Sequence, residues 1–301
     1  MKHSWKITLM LLSLFLITQL FGLVVINKYM VKRVVKINTP HGVSYSTNVS
    51  WHTNAITGEP PKVNENWSFI SVFIAILLST VLVFILVKFK AGNIWNMWYM
   101  LAVFLAMSVS LSAFMNVKLA LAVSGLLVFL KVKSRNAYFH NLTEPLVYAG
   151  ISVFLVPLFN MFSISALLIL ISIYDYVAVF KSKHMVSLAK FQLSSSRFMG
   201  LAIPKSGSNL SKISSRVSKH CKVKSNKSDI AILGGGDITF PLIFAGVMLK
   251  YFPLWKVLLV PILASISLLL LFTHSQKGKF YPAMPSITVG CLLGYLIALL
   301  I

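Results

Sequence analysis

Long apolar runs constrain this chain more than any other feature of its sequence. Stretches that approach or exceed eighteen apolar residues recur from end to end, and 57% of all residues are hydrophobic while 11% are charged. A helix needs about 20 mostly apolar residues to cross a bilayer, and it must satisfy its own backbone polar groups there. The sequence therefore predicts an all-α polytopic membrane protein rather than a soluble domain.

The apolar segments predict about nine transmembrane helices in one membrane domain that covers 1–301. Their predicted bounds are 7–27, 67–87, 94–114, 117–130, 143–158, 160–180, 230–249, 252–272 and 282–301. The first loop contains a stretch, Gly42 to Trp51, whose alternation suggests a small β-hairpin.

The charge of the chain is strongly basic, with 28 Lys and Arg against six acids and a formal net charge of +22. The basic residues flank the membrane, which indicates anionic lipid headgroups as partners and argues against nucleic acid. About twenty of the 28 lie at the N-terminus and in the even-numbered loops. The positive-inside rule therefore predicts a cytoplasmic N-terminus, an extracytoplasmic C-terminus and a mobile basic cytoplasmic loop at 181–229.

Two of the six acids lie inside apolar segments, Asp175 near the end of the sixth span and Asp237 near the start of the seventh. Each lies roughly 9 to 12 Å along a helix from the same predicted membrane face. Antiparallel neighbours would hold both at a similar depth. Three glycines precede Asp237 and Pro241 follows it, which predicts a loosened helix with free polar backbone beside the acid. An ionisable residue in such a place indicates a functional site.

Two interpretations of this pair stay open on the carboxylates alone. Two carboxylates a few ångströms apart share a proton, so one can accept a proton from water while the other serves the carbonyl of a peptide bond. Two aspartates at matched depth could also carry protons or sodium ions in a secondary transporter. The His-Glu-x-x-His motif of zinc metalloproteases and the Gly-x-Ser-Gly motif of rhomboid-type serine proteases are both absent from the sequence.

Three short motifs occur in order in the last four predicted spans. They are Tyr174-Asp175, Gly234-Gly235-Gly236-Asp237 and Pro282-Ala283-Met284-Pro285. Together they resemble the Y-D, G-x-G-D and P-A-L motifs of the presenilin and signal-peptide-peptidase family, with Met284 in place of the usual Leu. The short chain is most similar to the archaeal homologues. The resemblance is best from about residue 145 onward, while the first four spans match in number and hydropathy only.

The resemblance implies an intramembrane aspartyl protease with Asp175 and Asp237 as its catalytic pair. It implies active-site support from Tyr174, Gly234 and Gly236, and substrate binding or gating by Pro282, Ala283, Met284 and Pro285. Spans one to five, 1–159, would then be a scaffold and 160–301 the catalytic region. Substrates would be transmembrane segments of membrane proteins or remnant signal peptides. No cofactor or metal is expected, and the expected location is the cell membrane of a prokaryote or, failing that, an endomembrane.

Overall fold

The fold is known from a computed structural model that describes residues 5–39, 42–53, 55–61, 63–89, 92–134, 137–180, 199–204, 230–275 and 281–301. Within these ranges the chain forms nine helices of at least 14 residues, two pairs of strands and two single helical turns. The helices that precede the second strand pair are α1 Trp5–Tyr29, α2 Ser68–Lys88, α3 Gly92–Ser112, α4 Val117–Ser134, α5 Ala137–Leu155 and α6 Met161–Phe180. The helices that follow it are α7 Gly235–Met248, the single turn α8 Leu254–Val257, α9 Leu259–His274 and α10 Met284–Leu300. The second single turn, a 3₁₀ turn, extends α5 through Val156–Leu158.

The helices confirm the polytopic, all-α membrane architecture predicted from hydropathy. Five described segments are long and apolar enough to cross a membrane by length and composition: Trp5–Tyr29, Gly92–Ser112, Ala137–Leu158, Met161–Phe180 and Leu254–His274. Shorter apolar helices cover Ser68–Val83, Gly235–Met248 and Met284–Leu300. Large apolar side chains such as Leu78 and Phe162 are exposed on the outside, which suits a surface in contact with lipid.

A β-hairpin continues directly from α1, and it is longer than the small hairpin predicted within Gly42 to Trp51, which forms only its second strand. Strand β1, Met30–Thr39, pairs antiparallel with β2, Gly42–Trp51, in a continuous register. The hairpin lies beside the C-terminal end of α7, because the ring of Trp51 lies under the ammonium of Lys250. That ammonium also donates to the carbonyl of Phe159 at 2.7 Å. The hairpin is therefore at the opposite end of α7 from Asp237.

Helix α1 lies at the centre of the helical bundle. It packs against α5, α7 and α9. Its side chains Phe15 and Ile26 are fully buried in the main apolar core, together with Leu242 of α7. Within that core the amide of Gln19 donates a hydrogen bond of 2.8 Å to the carbonyl of Ile238. The first helix is thus joined to the helix that carries Asp237.

Helices α9 and α10 form a close antiparallel pair through two glycines. A Cβ at Gly290 would lie 2.6 Å from the carbonyl oxygen of Leu263, and one at Gly294 would lie 2.9 Å from the Cα of Val260. Glycines four residues apart on one helix face allow backbones to approach closely where apolar burial alone does not drive association. These contacts fix the middle of α10 against α9.

The start of the seventh predicted span is wrong. The prediction has a helix from residue 230, but Ile230–Gly234 forms a strand, β4, and α7 begins at Gly235. Strand β4 pairs antiparallel with β3, Gly200–Pro204. Apolar β-branched residues suit a strand as well as a helix, so hydropathy alone does not distinguish the two. Asp237 is consequently in the first turn of its helix and not eight residues along it.

The predicted mobile loop at 181–229 is wrong for Gly200–Pro204, which is strand β3. The remainder of that prediction, 181–198 and 205–229, lies outside the described residues. The fifth span also begins earlier than predicted, at Ala137 instead of 143. Its first turns carry polar side chains that lower the hydropathy, yet His140, Asn141 and Glu144 are buried and bind partners on β3 and α4.

Candidate active site

Asp175 extends from α6 into the interior of the protein. Its side chain is buried, and the residue is 4% exposed. Oδ2 accepts a hydrogen bond of 3.2 Å from the backbone N–H of Met284. Oδ1 is buried with no hydrogen-bond partner among the described residues. One carboxylate oxygen is therefore held by the protein and the other is left for a further partner.

The Pro-Ala-Met-Pro segment forms the start of α10. Ala283 occupies the N-cap position and Met284 is the first helical residue, followed by Pro285. A proline fits the first turn because the N–H groups there have no partner within the helix. The carboxylate of Asp175 takes up one such N–H and also benefits from the positive end of the helix dipole. The predicted gating segment is thus in direct contact with a predicted catalytic acid.

A second contact fixes α10 against α6 one turn from Asp175. The hydroxyls of Ser172 and Thr288 lie 2.7 Å apart. Ser172 also donates to the carbonyl of Leu168 within its own helix. Asp175 is therefore positioned by packing between two regular helices.

Asp237 is the third residue of α7, which packs against the helix α6 that carries Asp175. The helix is capped by Gly234, whose backbone is extended at φ −65° and ψ 148°. The Asp237 carboxylate folds back towards the backbone amide of Gly234, as an acid at the third helical position commonly does. A Cβ at Gly234 would lie only 3.1 Å from Oδ2, so a side chain there would displace the carboxylate by a few tenths of an ångström. The carboxylates of Asp175 and Asp237 are near enough to interact electrostatically.

The β3–β4 sheet leads directly into Asp237. The backbone N–H of Gly235 donates to the carbonyl of Met199 at 3.3 Å and so extends the ladder by one bond. Ala202 directs both its N–H and its carbonyl away from β4, to the side-chain amide of Asn141. Ala202 and its partner Ile232 are therefore a pair without mutual hydrogen bonds, and Ile232 also points its backbone groups outward. No described residue hydrogen-bonds those outward groups of Ile232, so β4 offers an edge beside Asp237.

Five polar residues near the site were not identified as site residues from the sequence. They are Lys131 on α4 and His140, Asn141, Glu144 and Tyr148 on α5, all buried. Lys131 forms an ion pair of 2.6 Å with Glu144, and His140 lies 3.4 Å from the same carboxylate oxygen. The available signal was the spacing of 140, 144 and 148, which puts three polar side chains on one face of a helix.

Tyr148 lies directly over the glycine run. A Cβ at Gly235 would lie 3.1 Å from Cε1 and 3.2 Å from Oη of Tyr148. The hydroxyl is buried, close to the carboxylates of Glu144 and Asp237, and has no partner at hydrogen-bond distance among the described residues. Gly235, the variable position of the motif, is consequently constrained by a neighbour.

The other predicted support residues are less closely surrounded. Gly236 is exposed, and a Cβ there would meet only the ring of Phe240 at an ordinary 3.6 Å. In the described part of the chain no close neighbour therefore explains why position 236 should be a glycine. Tyr174 is half-buried on α6. Among the residues that the structure describes, no group of three His, Cys, Asp or Glu side chains could hold a metal ion.

The chain resembles known proteins both in its fold and in its sequence. Two solved structures, each described as a presenilin family intramembrane aspartate protease, resemble the whole chain. The first has a TM-score of 0.62 at 16% sequence identity, and the match covers 97% of this chain and 98% of the chain in that structure. The other has a TM-score of 0.61 at 15% identity and covers 99% of both chains. At these identities the likeness shows the fold.

No curated protein matches the sequence at a significant level. A sequence model of the family described as signal-peptide peptidase, presenilin aspartyl protease matches residues 52–301. This match covers α2 to α10 and all three motifs. The chain therefore belongs to the signal-peptide peptidase and presenilin family of intramembrane aspartyl proteases.

Proposed function

We propose that this protein is an aspartic endopeptidase that hydrolyses peptide bonds within transmembrane segments, with Asp175 and Asp237 as its catalytic pair. The observation that carries the proposal is that two intramembrane carboxylates, on the packed helices α6 and α7, are near enough to interact electrostatically, with Asp175 also bonded to Met284. Intramembrane acids that interact in this way are costly unless they serve a function. The family supplies the reaction class.

The proposed chemistry needs only water and the two carboxyl groups. The pair shares one proton, so the ionised member accepts a proton from a water molecule as the water oxygen bonds to the peptide carbonyl carbon. The protonated member donates a hydrogen bond to the carbonyl oxygen. When the C–N bond of the resulting tetrahedral adduct breaks, a carboxyl proton passes to the amine that leaves. The pair acts as a unit, so neither aspartate is assigned a fixed role.

The substrate would bind as an extended strand, because a helical peptide bond is shielded by its own helix. The outward backbone groups of Ile232 on β4 can accept such a strand by β-augmentation. Pro282 to Pro285 would form the other border of the cleft, since Met284 contacts Asp175. Tyr174, Gly234 and Gly236 would support the pair. Substrates would be membrane proteins or remnant signal peptides.

The orientation follows from the distribution of basic residues. About twenty of the 28 Lys and Arg fall on the side of the predicted basic loop, which would be cytoplasmic and in contact with anionic headgroups. Asp175 and Asp237 are near that side. We expect a cytoplasmic N-terminus, residence in the cell membrane of a prokaryote, and preference for substrate spans with their N-terminus outside.

Cleavage of a synthetic transmembrane peptide by the purified protein in detergent tests the proposal. Asp175→Asn and Asp237→Asn should each lower the rate by roughly a thousandfold or more, because each removes a general acid or base. Glu59→Gln, an exposed acid in the first loop, is the matched control and should cleave at the normal rate. Normal cleavage by both Asp variants would refute the assignment.

The transporter interpretation is tested with the same variants. Proteoliposomes that contain the protein would take up protons or sodium ions in a coupled manner, and both Asp→Asn variants would lose that uptake. Uptake of this kind without any proteolysis would replace the protease proposal by the transporter. The open strand edge beside Asp237 favours the protease, because a coupled transporter has no need to bind an extended peptide.

A further inference from the structure

Helix α5 carries a buried polar face, which we call the α5 polar face and which consists of His140, Asn141, Glu144 and Tyr148. All four residues are at most 8% exposed. They lie within an otherwise apolar membrane helix, where each polar group costs free energy unless it has a partner. Because these polar groups lie beside the proposed catalytic pair, a role in positioning that pair would account for their cost.

The first half of the α5 polar face holds strand β3. The Asn141 side chain accepts from the N–H of Ala202 at 3.0 Å and donates to its carbonyl at 2.9 Å. The Nε2 of His140 lies 2.9 Å from the carbonyl of Gly200. The Asn141 amide thus satisfies the outward backbone groups of β3, as a third strand would do on that edge of the sheet. The opposite edge, on β4, is the one left open.

The second half contacts the start of α7. The Lys131 ammonium and His140 both meet Oε1 of Glu144, so that carboxylate already has a cation. Tyr148, one turn further along, packs on Gly235 with its hydroxyl unpartnered and near both Glu144 and Asp237. A phenol has one proton to donate. Glu144 takes up the Lys131 ammonium through Oε1, but its Oε2 is buried without a hydrogen-bond partner among the described residues, so two carboxylates, Glu144 and Asp237, lie near the Tyr148 hydroxyl. Glu144 already has one side-chain donor, whereas Asp237 has none in the described part of the chain, and this favours Asp237 as the acceptor.

We propose that the α5 polar face positions Asp237 for catalysis, with Tyr148 donating a hydrogen bond to the Asp237 carboxylate and Asn141 fixing the sheet that leads into it. Tyr148 and Asn141 are positioning residues under this proposal. The inference rests on the proposed function, since it concerns the same carboxylate. It adds a third helix, α5, to a site that the sequence motifs place on α6, α7 and α10.

Tyr148→Phe tests the hydrogen bond with little change in shape. We expect kcat to fall roughly tenfold with KM within twofold of normal, as for the loss of a hydrogen bond to a charged group. Tyr138→Phe is the matched control, because Tyr138 is on the same helix and 62% exposed, and it should leave both constants unchanged. An unchanged kcat in Tyr148→Phe would overturn the role of the hydroxyl.

Infrared spectroscopy tests the same contact without any turnover. The chain has only three aspartates, Asp175, Asp229 and Asp237, so protein labelled with 13C-aspartate gives a simple carboxyl spectrum. Asp237→Asn identifies the band of Asp237, and Tyr148→Phe should shift that band. If Asp237→Asn still cleaves substrate, the proposed function fails while the band shift still reports on Tyr148. If Asp237→Asn is inactive and the band does not move, only the present inference fails.

Asn141 provides an independent variant in case Tyr148→Phe perturbs folding. Asn141→Asp keeps the acceptor for the Ala202 N–H but cannot donate to the Ala202 carbonyl, and Asn141→Leu loses both bonds. We expect kcat to fall in that order and cleavage of the synthetic peptide to spread over neighbouring bonds, because the sheet register loosens. If Asn141→Leu cleaves at a single, unchanged position with normal kcat, the proposed role of Asn141 in fixing the sheet is overturned.

Discussion

The two aspartates are held in place by different means. Asp175 is inside a regular helix, in its second half, and its surroundings are other regular helices: α10 supplies the N–H of Met284 and the hydroxyl of Thr288. Asp237 is at a junction where a strand becomes a helix, and its surroundings are backbone amides and the α5 polar face. One half of the site is therefore positioned by helix packing and the other by a polar network.

This difference indicates how each half responds to disturbance. Helix packing through glycines is tolerant of small polar changes but intolerant of added volume. A buried polar network tolerates little loss of a partner, since each unpaired group keeps its full desolvation cost. Added volume should therefore disturb the Asp175 half more than the Asp237 half. Loss of a polar partner should disturb the Asp237 half more.

The largest expected effect comes from the ion pair behind Asp237. Glu144→Gln leaves the ammonium of Lys131 buried without its counter-charge, and the free energy of unfolding should fall by about 3–5 kcal/mol. Replacing both residues, as Lys131→Met with Glu144→Leu, should cost much less because no charge remains buried. Titration with a denaturing detergent measures both. Equal losses in the single and double variants would mean that the network is not electrostatic.

Added volume on the Asp175 side comes next. Gly290→Ala directs a methyl group at the backbone of α9, 2.6 Å from the carbonyl oxygen of Leu263, and should lower the free energy of unfolding by about 1–3 kcal/mol. Gly125→Ala on α4 is the matched control, since its Cβ would meet only the ring of Phe104 at 3.8 Å. The control should be neutral or slightly stabilising. Equal behaviour of the two alanines would argue against close packing of α9 on α10.

A smaller effect is expected where the glycine run meets Tyr148. Gly235→Ala requires the tyrosine ring to move by a few tenths of an ångström, and kcat should fall about two- to fivefold. Combining it with Tyr148→Phe should cost less than the product of the two single effects, because phenylalanine removes the hydroxyl contact at 3.2 Å while the contact with Cε1 at 3.1 Å remains. Cleavage kinetics of the four proteins measure this coupling. If the effect of the double variant equals the product of the two single effects, Tyr148 and Gly235 are not in contact in solution.

The smallest effect is expected for the hydroxyl pair between α6 and α10. Thr288→Val removes the partner of Ser172 and should cost about 0.6 kcal/mol of stability, a typical value for such bonds between membrane helices. Thr273→Val is the control, because that exposed hydroxyl donates to Leu270 in its own helix. A loss above about 2 kcal/mol in Thr288→Val would show that polar bonds hold the Asp175 half as well.

Much of the fold could be predicted because membrane spans are recorded locally in the sequence. Hydropathy predicted about nine helices, and the alternation after Gly42 predicted β-structure there but not the partner strand Met30–Thr39. The region before Asp237 was not predictable in this way, since Ile230 to Gly234 is apolar and suits either a strand or a helix. Its partner strand at Gly200 lies in a Ser- and Lys-rich stretch whose composition indicates a loop.

The site could be predicted only where its residues form motifs. Tyr174-Asp175 and Gly234 to Asp237 are recognisable along the chain, and the structure brings Asp175, Asp237 and Met284 together. The α5 polar face has no such motif. Its partners, Gly200 and Ala202, are about 60 positions away in sequence. A pairing of that kind depends on the folded arrangement of helices, which periodicity within one helix does not reveal.

The bond between Gln19 and Ile238 has a consequence for the order in which the chain assembles. The two residues are 219 positions apart, so at roughly 5–20 residues per second their synthesis is separated by about 10–40 seconds. During that interval the amide of Gln19 is inside a membrane helix without its final partner. Helix α1 must therefore wait in the bilayer, hydrated or temporarily paired, until α7 arrives. Disulfide trapping of cysteines at 19 and 238 in ribosome-bound chains of increasing length would date their meeting.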